Sequence, residues 1–145
     1  MIAAKQAIRF FFNDVAFDLR DRKKLKRFML SIFKSEKKKV ENLTYIFSTN
    51  RIITALNKKF LNHNYQTDIL TFSITNNPLQ AEIYISIEKI RENSILYNCT
   101  FKEELLRVMF HGILHLCGYD DNSSKQKKEM RKKEDYYLKL YERFT

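Results

Sequence analysis

The chain has 145 residues, 44% of them hydrophobic, 14% aromatic and 30% charged, with one proline and only two glycines, Gly112 and Gly118. That length suits a single domain over residues 1–145, able to bury about two thirds of the surface its unfolded form exposes, and the composition excludes collagen-like, mucin-like and Gly/Ser-rich disordered chains. A net charge of +10 attracts polyanions, nucleic acid above all, although a Lys-rich solvated surface has the same composition.

Taken in chain order, the N-terminal segment is interrupted by Lys5, Arg9, Asp14 and Asp18, so no export signal is expected. No apolar run approaches the roughly 18 residues of a membrane span, so no membrane partner is expected either. Residues 7–12 (AIRFFF) read as a strand ended by Asn13-Asp14. Over 21–38, Leu25, Phe28, Met29, Ile32 and Phe33 recur at helical spacing among Lys and Arg, which predicts an amphipathic helix with a basic outer face. Residues 43–48 (LTYIFS) form a second strand. Thr49 or Asn50 can cap a helix to about residue 60, with Ile52, Ile53, Leu56 and Phe60 inward. LNHNYQT (61–67) reads as a loop, and strands follow at 69–74 and 81–87, separated by the turn-rich TNNPLQ.

Helices are expected over 88–98 and, more apolar, over 101–117. After GYDDNSS a charged helix runs from about 124 to 143, with Met130, Tyr137, Leu138 and Tyr141 inward. Four strands interleaved with helices make one α/β or α+β layered domain. Residues 1–40 carry 12 basic and 4 acidic side chains and 122–145 carry 8 and 4, whereas 101–121 carry 2 and 4. The positive excess therefore lies on two flanking segments. Cys99 and Cys117 make no disulfide framework and are expected to be reduced, buried, inert thiols of a cytosolic protein.

The chemistry is concentrated in HGILHLCGYDD, His111 to Asp121, which holds both glycines. His111 and His115 stand four apart on a helix, so both imidazoles project from one face and can reach one Zn²⁺ at about 2.0–2.1 Å. Gly118 lies where a helix ends most cheaply in a left-handed residue, and a turn there swings Asp121 back as a third ligand, with Asp120 as its competitor. Three protein ligands leave the fourth zinc position open for water, the catalytic arrangement. Together H-x3-H-x2-G-x2-D is the skeleton of the metzincin motif. Metalloproteases, however, place their general-base Glu directly after the first His, and Gly112 stands there, which disfavours peptide hydrolysis. No residue stands out as a general base. Glu104, two turns before His111, reads as an ordinary exposed carboxylate that would otherwise face the site. Tyr119 can stack on a base or pack the turn.

His111 to Asp121 resembles the HGxLHLxGYDH signature of the YbeY family, the metal-dependent endoribonucleases and ribosomal RNA maturation factors of bacteria. Two further stretches agree: Leu56-Asn57 with Thr67-Asp68-Ile69-Leu70-Thr71-Phe72 resembles LNxxYRxxDxxTDVLSF, and Ala81 to Ser86 stands where the family has GDIxIS. The resemblance covers roughly residues 40–135. It implies an α+β fold, a mixed sheet of about four strands surrounded by helices, with a metal-bearing helix like that of zinc metalloproteases.

It also implies a cytoplasmic enzyme with one Zn²⁺ per chain on His111, His115 and Asp121, acting on the 3′ end of small-subunit rRNA and in ribosome quality control. Its partners would be ribosomal RNA and the small subunit with its proteins, not DNA, and a monomer is the expected state. Two positions depart from the pattern. Asp121 replaces the usual third His, and a carboxylate is a competent zinc ligand. The arginine that family members are thought to use on the RNA phosphate corresponds to Leu61; Lys58, Lys59 or His63 could substitute, although each reads first as a solvated loop or helix residue. Two other classes stay open: a non-catalytic RNA-binding assembly factor holding zinc, and a metallohydrolase of another phosphoester or an amide.

Overall fold

The computed structural model describes residues 7–61 and 67–145. Its elements run β1 (Ile8–Phe12), α1 (Arg22–Ser35), β2 (Val40–Ser48), α2 (Asn50–Leu61), β3 (Ile69–Asn76), β4 (Leu79–Ser86), α3 (Ile87–Leu96), α4 (Phe101–Leu116) and α5 (Ser124–Arg143). The sheet order is β1-β2-β4-β3. β1–β2 and β2–β4 pair in parallel and β3 runs antiparallel to β4, the mixed sheet of an α+β fold.

Alternation along the strands decides where the core lies. Leu43, Tyr45 and Phe47 of β2 and Leu79, Ala81, Ile83 and Ile85 of β4 point to one face and are buried there. Onto that face fold α1, through Leu25, Phe28, Met29, Ile32 and Phe33, and α4, through Met109, Phe110, Ile113 and Leu114. Each such fully buried side chain contributes about 1.5–3 kcal/mol relative to leaving it in water. α5 closes the layer with Met130, Tyr137 and Tyr141 buried and Leu138 half-buried. The Phe28 ring meets those of Phe110, Tyr141 and Phe144 at 5.0–5.4 Å, which ties α1, α4 and the C-terminus together.

Several boundaries differ from expectation because pairing and caps override local pattern. β2 starts at Val40 because Lys39 and Val40 meet the start of β4, where Leu79 N–H donates to Lys39 C=O at 2.8 Å. β3 and β4 extend until only Asn77-Pro78 separates them, with Asn76 opposite Leu79. Ile87 opens α3 instead of ending β4, because Ser86 Oγ accepts from Lys89 N–H and caps the helix. At α2, Thr49 Oγ1 accepts from Ile52 N–H, and Ile53 and Asn57 turn inward. Phe60 is left 59% exposed, its ring edge-on to Phe72 at 6.1 Å, so its expected inward place is taken by Asn57.

Two contacts set the height of α4 over the sheet. The buried Tyr45 hydroxyl donates to Met109 C=O at 2.8 Å. Gly112 presses on the sheet: a Cβ there would lie 2.8 Å from Ile83 Cδ1 and 3.0 Å from Ile69 Cδ1. Glycine is what lets the helix lie this close.

Candidate metal centre

α4 begins with a capping box, Thr100 Oγ1 accepting from Glu103 N–H while the Glu103 side chain accepts from Thr100 N–H. It ends in a Schellman motif: Gly118 N–H donates to His115 C=O and Tyr119 N–H to Leu114 C=O, both at 3.0 Å. Gly118 has φ +104°, a conformation that side chains rarely adopt, and a Cβ there would touch nothing. Its role is therefore purely conformational. The turn brings Asp121 back over the last turn of the helix, while Asp120 points to solvent.

The result is a triad. Asp121 Oδ2 lies 3.4 Å from His111 Nε2 and 3.5 Å from His115 Nε2, and one donor atom from each residue falls within 4.8 Å of the other two. The imidazoles stand nearly perpendicular, with centroids 4.5 Å apart.

His111 has a further partner that sequence reasoning did not find. Its Nδ1–H donates to Glu134 Oε2, on α5, at 2.6 Å. A carboxylate only accepts, so the proton belongs on Nδ1 and the Nε2 lone pair is directed at the triad. In the neutral ring Nε2 and the Asp121 oxygen are then both acceptors, the donor set a cation requires, whereas a protonated ring would donate from Nε2 to Asp121. Glu134 is buried and is itself held by Arg107 Nη1 at 2.9 Å, while Arg107 Nη2 reaches Asp135 at 2.7 Å. Such a carboxylate–histidine pair fixes the ring and raises its basicity. Burial pulls the His111 pKa down, but the hydrogen bond and charge of Glu134, with Asp121 and Asp68 adding, outweigh it and raise the value overall. The sequence did carry a signal for Glu134: it lies on the α5 stripe Met130–Glu134–Tyr137–Tyr141, the one acid on a buried face.

Glu104 also departs from expectation. It is 5% exposed rather than a surface carboxylate, because the α4 face bearing Glu104, Val108 and His111 is covered by neighbouring elements. Burial raises its pKa, with Asp68 adding to the shift, and burial likewise raises that of Asp68. Both carboxylates line a cavity of about 280 Å³ together with His111, Asp121, Arg107 and Arg131.

Tyr119 packs the turn: its hydroxyl donates to Glu36 Oε1 at 2.7 Å. Glu36, just past α1, also accepts from Tyr137 Oη and, at 3.2 Å, from Lys133 Nζ. Burial raises the Glu36 pKa, but these three hydrogen bonds outweigh it and leave the value lowered. The cysteines are free but half-buried rather than buried, and burial pushes the Cys117 thiol up to about 12, which keeps it inert.

Residues 11–142 match the family model for Endoribonuclease YbeY. The chain is 40% identical over 138 residues to the Endoribonuclease YbeY of Cytophaga hutchinsonii, covering 94% of this chain and 96% of that protein. To the Endoribonuclease YbeY of Flavobacterium psychrophilum it is 38% identical over 129 residues, covering 88% and 92%. The chain belongs to the YbeY family. Its fold is also that of TM1509 from Thermotoga maritima, known from a solution structure, at a TM-score of 0.60 and 31% identity over 92% of this chain and 88% of that one.

The two departures from the YbeY signature fall in different places. Asp121, which the resemblance sets in place of a third His, lies with His111 and His115 in the triad. The side chain of Leu61 and all of His63 lie outside the described residues, while Lys58 and Lys59 are exposed on α2. Among the described helices none is long and apolar enough to cross a membrane.

Proposed function

We propose that this chain is a cytoplasmic, zinc-dependent endoribonuclease of single-stranded RNA, acting as one domain over residues 1–145. It would mature the 3′ end of small-subunit rRNA and serve ribosome quality control, as a monomer working with the small subunit and its proteins. Relatives at 38–40% identity bear the name Endoribonuclease YbeY, which supports an RNA substrate. The observation that carries the reading is the meeting of His111 Nε2, His115 Nε2 and Asp121 Oδ2 beside a cavity that also holds Arg107 and Arg131.

These three side chains would hold one Zn²⁺. When bound, such an ion supplies a Lewis acid and lowers the pKa of its water to about 7. The chain's own residues do the rest. Glu134 orients His111, and Arg107 holds Glu134 in place. Arg107 and Arg131 border the cavity beside the triad and offset part of the charge of Asp68, Glu104, Asp121 and Glu134 there. The basic faces of α1 and α5 attract the RNA backbone and make affinity steeply salt-dependent.

The test compares RNA cleavage by zinc-loaded protein and by His115→Ala, together with rRNA 3′ ends in cells depleted of the protein. Cleavage lost in the variant, and extended 3′ ends, are the expected results. Equal activity in both proteins would expose a contaminating nuclease. RNA binding without cleavage would leave an assembly factor, turnover of small phosphoesters alone another hydrolase, and normal 3′ ends would remove the maturation role.

A further inference from the structure

Two carboxylates are buried near the metal centre, and they are treated oppositely. Glu134 is engaged by His111 and Arg107. Glu104, 5% exposed, accepts no hydrogen bond and makes no ion pair with any described residue. Its carboxylate is not sealed in the core but opens onto cavity space, where a ligand that brings donors can reach it.

Glu104 borders two adjoining cavities. The cavity of about 280 Å³ is the one shared with His111 and Asp121. The other, about 420 Å³, leads away to Lys24 and Lys102. Tyr97, Arg107 and Arg131 border both. The smaller volume lies just under the range of about 300–1,000 Å³ usual for ligand pockets, so it suits a planar ring system rather than a whole nucleotide. Tyr97, 59% exposed, offers an aromatic ring on which a base can stack. An ionised carboxylate has two acceptor oxygens and no donor. Among RNA bases, guanine answers it best, because its N1–H and N2 amine are adjacent donors. Adenine and cytosine present one amine beside a ring acceptor, and uracil a single N–H between two carbonyls.

We propose that the cavity beside the triad is a base pocket for a guanine flanking the scissile phosphodiester, with Glu104 accepting from its N1–H and N2 amine. The strand would continue along the larger cavity past Lys24 and Lys102. The proposal rests on the RNA reading above and assigns that reading a sequence preference.

The test uses the zinc-loaded wild-type protein and single-stranded RNA oligonucleotides in which each guanine in turn is replaced by inosine, which lacks only the N2 amine. Replacement at one position flanking the cut is expected to lower kcat/KM about tenfold, within the range of one bidentate base contact. Glu104→Gln should abolish the guanine–inosine difference, and Glu104→Asp should restore part of it. Equal cleavage of every oligonucleotide would overturn the pocket. In parallel, 5′-GMP and 5′-IMP are titrated into the protein and followed by NMR. If no RNA is cleaved at all, the proposed function fails, but GMP binding about tenfold tighter than IMP, lost in Glu104→Gln, would still uphold the pocket. Equal binding, or none, would overturn it. GMP preference alongside cleavage that ignores guanine would show a nucleotide site and overturn the RNA assignment.

Discussion

The two histidines of the triad come from one helix, one turn apart, yet they are held differently. His111 is braced from α5: Glu134 grips its Nδ1, and Arg107 grips Glu134. His115 has no such brace among the described residues: its polar neighbour is Asp121 and its ring partner is His111. Asp121 itself is placed by the turn after α4, which Gly118 permits and the Tyr119–Glu36 hydrogen bond tethers to α1. One side of the centre is thus supported by a buried charge network, the other by backbone conformation. A metal site needs both, because a ligand set is only as exact as the groups that orient it.

The largest effect should come from the ligands. His111→Ala, His115→Ala and Asp121→Ala should each lower zinc content from about one ion per chain to near zero by elemental analysis. Unchanged stoichiometry in any of them would remove that residue from the centre. Next, Glu134→Gln should weaken zinc binding by about 10–100-fold in a chelator competition, the usual result of losing an outer partner of a ligating histidine. An unaltered affinity would mean that the bracing of His111 is irrelevant and the two histidines are equivalent after all.

Gly118→Ala probes the other side. With φ at +104° and open space around the site, its whole cost is backbone strain, about 1–2 kcal/mol, measurable as a lowered Tm. An unshifted Tm would show that the turn relaxes freely. The smallest effect should be that of Glu36→Gln, and it should depend on pH. The folded-state pKa of Glu36 is lowered from an ordinary 4.5, so its stabilisation is complete above that value and is lost as pH falls through the lower folded one. The Tm gap between wild type and Glu36→Gln should therefore be full at pH 7 and close in more acidic buffer. A gap that is constant with pH would assign the contribution to packing.

Much of the fold was legible because its signals are local. The α1 stripe Leu25, Phe28, Met29, Ile32 and Phe33 is buried as its spacing requires, and the five helices and four strands among the described residues stand in the expected order. His111 and His115 were legible for the same reason: spacing four on a helix is a geometric statement. Glu104 misled because a carboxylate is exposed by default, and only packing against it reverses that. Glu134 meets His111 and Arg107 across 23 and 27 residues of separation, which no window of sequence spans. Phe60 faced outward because the rotation of α2 is set by what it packs against.

By itself the sequence determined the element order, the core stripes, the ligand spacing and the family signature, all of which depend on residues near one another along the chain. Only the tertiary structure decided that Glu134 orients His111 and that Glu104 is buried without a protein donor. It also decided that the two basic segments, far apart in sequence, are neighbours: Lys24 Nζ of α1 lies 4.8 Å from the Tyr141 ring of α5. These outcomes depend on which surfaces meet when the helices close over the sheet, and that is settled by packing and burial over the whole chain.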